Sequence, residues 1–300
     1  MSLEDPPKNN AEDVSSKEVK TPDHFESWKK IKMEGGKELL RTIRKNIEKA
    51  AKENYAYEFS AKEAGLPVEE FKRNLQERVE RIISESDFFV AISPALVESV
   101  LNVDGRWKNQ FETATSNGVL DLKRRSQKEE EMFGYPNKEH HDIHPIYGYV
   151  SNGVNGEVKK GTTPGPTTTA RYGTVGCKLK KERALEKATV TFTDSLPFGS
   201  EYPPSPAIKP HYTSLNPLLV EPGEKLLGKL QESKNTDWGT AYIEAQYHGG
   251  LKVDDIESIH ISRSSGMSDS DLEKVRTSYR IYMKNNPDSK LKLVEYWDTI

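Results

Sequence analysis

A carboxylate, an amide and an imidazole stand two residues apart in Tyr242-Ile-Glu-Ala-Gln-Tyr-His-Gly-Gly250. Small or apolar residues alternate there with polar or aromatic ones, which is the pattern of a β-strand. Side chains alternate along a strand, so Tyr242, Glu244, Gln246 and His248 share one face. A core strand would carry Val or Leu at those positions. This one therefore predicts either a water-exposed edge or the wall of a site. Gly249-Gly250 lets the chain turn or approach a ligand closely.

Four other clusters have residue types suited to chemistry. In Asp104-Gly-Arg-Trp-Lys-Asn-Gln-Phe-Glu-Thr-Ala-Thr-Ser-Asn-Gly118, Arg106 precedes Thr113, Thr115, Ser116 and Asn117. A guanidinium with hydroxyls and nearby backbone N–H groups suits a phosphate or pyrophosphate, and a turn with a surface arginine fits as well. Ala188-Thr-Val-Thr-Phe-Thr-Asp-Ser195 reads as a threonine-rich strand with Asp194 and Ser195 at its end, where site residues often lie. Tyr147, Tyr149, Tyr172, Tyr242 and Tyr247 offer flat rings with hydroxyls, useful for stacking or for packing. Glu139-His-His-Asp-Ile-His144 gathers three histidines and an aspartate. Its spacing matches no familiar zinc motif, and a metal-dependent hydrolase on His140, His141, Asp142 and His144 is a rival reading.

These clusters need elements to position them. The 300 residues suffice for one large domain or two smaller ones. Charged residues make up 30% and the net charge is -3, which gives no electrostatic case for nucleic acid. No apolar run reaches membrane-span length. Met1-Ser-Leu-Glu-Asp-Pro-Pro lacks the pattern of a cleavable signal peptide. The single cysteine, Cys177, forms no internal disulfide; it reads as packing, in a reducing compartment.

Residues 1–22 read as a disordered tail and 23–86 as a helical region. One apolar stripe there is Leu40, Ile43 and Ile47; the other is Phe71, Leu75, Val79 and Ile82. Gly65-Leu-Pro67 separates them. Strands are expected at 87–93, 144–150, 172–179, 188–193, 241–247 and 257–262, and a short helix at 94–101. Residues 161–169 and 196–210 read as loops. A last helix starts near Ser270, with Ser270 and Glu273 as a capping box and Leu272, Val275, Tyr279 and Tyr282 as its buried stripe. The sum is an α+β protein with a mostly antiparallel sheet.

Four segments in order, 104–118, 133–149, 172–196 and 242–250, resemble the mono-ADP-ribosyltransferases of a bacterial, phage and fungal group that includes secreted effectors. That class uses an arginine, a serine-containing strand and a glutamate motif, in that order. The resemblance implies a split antiparallel β-sheet catalytic domain over 87–300, with NAD as substrate and no metal. It implies ADP-ribose transfer to a protein, with arginine as the expected acceptor side chain. Glu244 would be the catalytic acid. Arg106, Ser116, Tyr147 and Ser195 would bind NAD, and Tyr242 and Gln246 the substrate. The class usually ends its motif on the acid, whereas here Gln246 follows Glu244. A module that binds NAD without turnover is a second rival. The protein is expected to be a monomer with no membrane or nucleic-acid partner. It would be cytoplasmic or delivered to a host cytoplasm as an effector.

Overall fold

The computed structural model describes residues 58, 61–62, 64–102, 107–113, 122–133, 144–151, 173–191, 205–206, 243–262 and 266–296. In chain order these form α1 (Val68–Glu85), β1 (Asp87–Ile92), a 3-10 turn (Pro94–Leu96), α2 (Val97–Leu101), α3 (Gln110–Thr113) and α4 (Leu122–Phe133). Then come β2 (Ile146–Ser151), β3 (Val175–Leu179), α5 (Lys181–Lys187), β4 (Ala188–Thr191), β5 (Ser205–Pro206), β6 (Ile243–Tyr247), β7 (Ile256–Ser262), α6 (Asp269–Asn285) and β8 (Lys292–Tyr296). The architecture is α+β. One sheet runs β5-β4-β6-β2-β1-β3-β7-β8, antiparallel throughout except for the parallel pair β7–β8.

The sheet has two unlike faces, because its strands alternate in composition. One carries Val190, Ala245, Tyr247, Ile146, Val150, Phe88, Val90, Cys177, Val175 and Ile259, all buried in a single cluster. Phe71 and Ile83 of α1, Val97 and Val100 of α2, and Leu272, Val275 and Tyr282 of α6 complete that core. Burying such side chains stabilises by roughly 1.5–3 kcal/mol each. Burial also pushes the Cys177 thiol pKa well up, as befits a packing residue. The opposite face carries Thr189, Glu244, Gln246, Tyr149, Phe89, Ser258 and His260, buried as well. Phe89 stacks on Tyr149 with centroids 5.5 Å apart and meets the edge of His260 at 5.4 Å.

Gly148 makes the Tyr147-Gly-Tyr149 strand possible. A Cβ there would sit 2.1 Å from the Phe89 carbonyl oxygen and 2.7 Å from the Tyr247 ring. The Tyr247 ring crosses the strand at that point, and its hydroxyl donates to the same carbonyl at 3.3 Å.

Several expectations shift. β6 is not an edge strand: it lies between β2 and β4, and its polar face is buried. The last helix is capped by Ser268, whose oxygen accepts from the Asp271 N–H at 3.1 Å, rather than by Ser270. Three helices, α3, α4 and α5, and the parallel strand β8 join the elements read from periodicity. Residues 205–206, within the expected loop 196–210, form a short strand. The tail 1–22, the helix on Leu40, Ile43 and Ile47, and the loop 161–169 lie outside the described residues. For the second stripe, the structure describes the side chain of Phe71, which is buried.

Candidate active site

The polar face of the sheet gathers the candidate chemistry. Across β2, β6 and β4 the register places Tyr147 opposite Gln246 and Gln246 opposite Thr189. Cross-strand partners share a face, so the three strands build one wall. Glu244 is 3% exposed, and Gln246 and His248 are fully buried. A buried carboxylate needs hydrogen-bond partners, and Glu244 has one in the same strand. Gln246 Nε2 donates to Glu244 Oε1 at 2.8 Å. Behind it, Thr189 Oγ1 donates to Gln246 Oε1 at 2.8 Å and lies 2.9 Å from His248 Nε2.

The Gly249-Gly250 turn (φ 77° and 74°) ends the strand just past His248. Lys187 pins it, donating to the Gly250 carbonyl at 3.0 Å and to Asp255 at 2.6 Å. Asp255 Oδ2 also accepts from the Lys252 N–H at 2.9 Å. The rear of the wall is thus held by a charge-assisted clamp.

Helix α4 covers this wall. Its spacing of four puts Arg125, Glu129 and Phe133 along one stripe. Phe133 packs its ring against His248 at 4.8 Å, edge to face. Glu129, fully buried, accepts from Tyr147 Oη at 2.9 Å through one oxygen. Its other oxygen lies 2.5 Å from His144 Nδ1. Arg125, 3% exposed, sits over the Tyr147 ring at 4.9 Å, with Nη1 4.0 Å from Glu129. Its Nε and Nη1 are buried and make no hydrogen bond among the described residues.

The segment around Trp107 braces the cluster. Asn109 Oδ1 accepts from the Phe111 and Glu112 N–H groups and starts α3, while its amide donates to the His144 carbonyl at 3.2 Å. That brings Phe111 onto the His144 ring, with centroids 3.9 Å apart.

Burial sets the titration of this wall. It holds the Tyr147 hydroxyl protonated well above the usual phenol range, with the negative charges of Glu129 and Glu244 adding to the effect. It lowers the pKa of His248 to about 3, so the imidazole is neutral. Further along the face, His260 is held down to about 4 by burial and by Lys178. Ser258 Oγ lies 2.7 Å from His260 Nε2.

Of the residues expected from the sequence, Glu244, Gln246 and Tyr147 come together here. Arg106, Ser116, Ser195 and Tyr242 lie outside the described residues, as do His140, His141 and Asp142. His144 is engaged by Glu129, and no group of three metal-ligating side chains occurs among the described residues. Arg125, Glu129 and the structural use of Thr189 went unread in the sequence. The i, i+4 spacing of Arg125 and Glu129 ahead of Met132-Phe133 is the signal that points to them. A surface depression lined by Pro94, Glu98, Glu273, Lys274 and Ile281 lies beside α6, which packs on the apolar face.

No protein-family model matches this chain, and a search of curated proteins finds no match either.

Proposed function

We propose that this protein is a mono-ADP-ribosyltransferase that cleaves NAD and passes ADP-ribose to a protein, with Glu244 as the catalytic carboxylate. The observation that carries the reading is a buried carboxylate, oriented by an amide, on a wall that also holds a tyrosine ring and an arginine with unused N–H groups. Heterolysis of the nicotinamide–ribose bond sends the bonding pair to nicotinamide, which leaves neutral. The ribose C1′ is left with oxocarbenium character. A nearby carboxylate stabilises that charge, as in glycoside hydrolysis. The acceptor nucleophile then bonds to C1′ and gives up its proton to solvent. No step requires a metal.

Arg125 suits the diphosphate, the role that the sequence suggests for Arg106. Buried guanidinium nitrogens that lack a hydrogen bond, as Nε and Nη1 of Arg125 do, cost stability unless a ligand supplies the acceptors, and a diphosphate supplies several in the fork geometry that arginine fits. Tyr147 offers a ring face, since its hydroxyl is committed to Glu129. Arginine is the acceptor proposed, and peptide mapping of a modified target tests it. Chromatographic measurement of nicotinamide released from NAD tests the main reading. A second reading, a module that binds NAD without turnover, draws on the 3% exposure of Glu244. NAD binding by calorimetry with no nicotinamide released would select it.

A further inference from the structure

The hydrogen bonds behind Glu244 run in one direction, and we infer that Thr189 and His248 are positioning residues that fix how Glu244 presents its carboxylate. The direction follows from counting protons. An ionised carboxylate accepts only, so Gln246 must turn its amide nitrogen toward Glu244. The Gln246 carbonyl oxygen then faces Thr189. Thr189 has a single hydroxyl proton, and this acceptor uses it. Toward His248, 2.9 Å away, Thr189 has only lone pairs to offer. His248 must therefore carry a proton on Nε2.

The result is an ordered series, from His248 Nε2–H to Thr189 Oγ1–H to Gln246 Nε2–H to Glu244. Each donor polarises the next toward the carboxylate. All four side chains are 3% exposed or less, so water does not compete. The burial that holds His248 neutral leaves one ring proton to place. Tyr147 and Tyr149 face Glu244 from β2, Arg125 and Glu129 lie on α4, and Phe133 closes on His248. None of these replaces Thr189, which stands opposite Gln246 and diagonal to His248.

The role in catalysis rests on the proposed reading of Glu244; the direction of the bonds does not. Nitrogen-15 NMR of the wild-type ring reads the bonds directly, and the expected form of His248 is the Nε2–H tautomer. Thr189→Val keeps the shape and removes the hydroxyl. In that variant the carboxyl carbon of Glu244, followed by carbon-13 NMR, should titrate at higher pH than in the wild type, because Thr189 no longer holds the Gln246 amide that donates to the anion. The kcat for nicotinamide release should fall about 10–100-fold with KM little changed. The acid limb of its pH profile should move up. Thr189→Ser should restore all three, and circular dichroism confirms that each variant folds.

An Nδ1–H tautomer in the wild type would overturn the inference. So would an unchanged Glu244 titration or a full kcat in Thr189→Val. If Thr189→Val does not fold, the wild-type tautomer and a near-normal Thr189→Ser decide. If the wild type releases no nicotinamide, the enzyme reading falls, and the two NMR measurements judge the bond series alone.

Discussion

Two imidazoles buried without charge make the protein acid-sensitive. His248 is held near pKa 3 and His260 near 4, against 6.5 for a free side chain. Between those limits the unfolded chain binds protons that the fold refuses. Stability is therefore highest above about pH 6.5 and is lost as the pH falls toward the folded values. A pKa lowered by one pH unit corresponds to about 1.4 kcal/mol. Lowering His248 to its folded value therefore corresponds to about 5 kcal/mol, and lowering His260 to about 3 kcal/mol. A domain is stable by only about 5–15 kcal/mol, so these two side chains suffice to make it marginal near pH 4. Urea unfolding followed by tryptophan fluorescence from pH 4.5 to 8 gives the slope. His260→Gln keeps a polar partner for Ser258 and removes one titrating group. Its slope between about pH 4.5 and 6 should be shallower than the wild type's by about 1.4 kcal/mol per pH unit. Carboxylates contribute equally to both proteins and cancel. A variant slope equal to the wild type's would show that His260 takes up its proton in the fold, so that burial does not keep it neutral.

Other substitutions probe separate parts of the structure. Arg125→Met should lower NAD affinity about tenfold or more, as expected for a lost charge-assisted contact, without lowering the melting temperature. A destabilised variant with unchanged calorimetric affinity would assign Arg125 to structure alone. Gly148→Ala should cost about 3 kcal/mol in denaturant unfolding, because its Cβ meets the Phe89 backbone oxygen at 2.1 Å and backbone cannot step aside. A loss below about 1 kcal/mol would mean that Tyr247 does not cross β2 as described. Cys177 should resist a thiol reagent in the native protein and react fully in denaturant, and rapid native labelling would contradict its burial.

The strands were legible because their alternation is local. Glu244, Gln246 and His248 on one side and Ala245 and Tyr247 on the other announce a two-faced strand before any partner is known. Its neighbours were not legible. Pairing of β6 with β2 and β4 joins residues about 55 to 100 positions apart, so the polar face looked equally suited to an edge or to an interior wall. Helix α4 was hidden for a different reason. Its inward stripe includes Arg125 and Glu129, so the apolar periodicity that reveals a buried helix is absent, and Lys-Arg-Arg-Ser-Gln-Lys-Glu-Glu-Glu reads as solvated. The helix cap slipped by two because Ser268 and Ser270 each precede an acid by three residues. Only the first holds the Asp271 N–H. β8 was missed because its parallel partnership with β7 requires the whole of α6 to lie between them, and five residues carry too little pattern alone.

The most direct test is nicotinamide release from NAD by the wild type and by Glu244→Gln, both shown to be folded by circular dichroism. The wild type should turn over, and the variant should lose a factor of about 10²–10³ or more, the usual loss when a charge-stabilising group is removed from a closed site. Turnover by Glu244→Gln at the wild-type rate, or none by the folded wild-type protein, would contradict the role of Glu244 as the catalytic carboxylate.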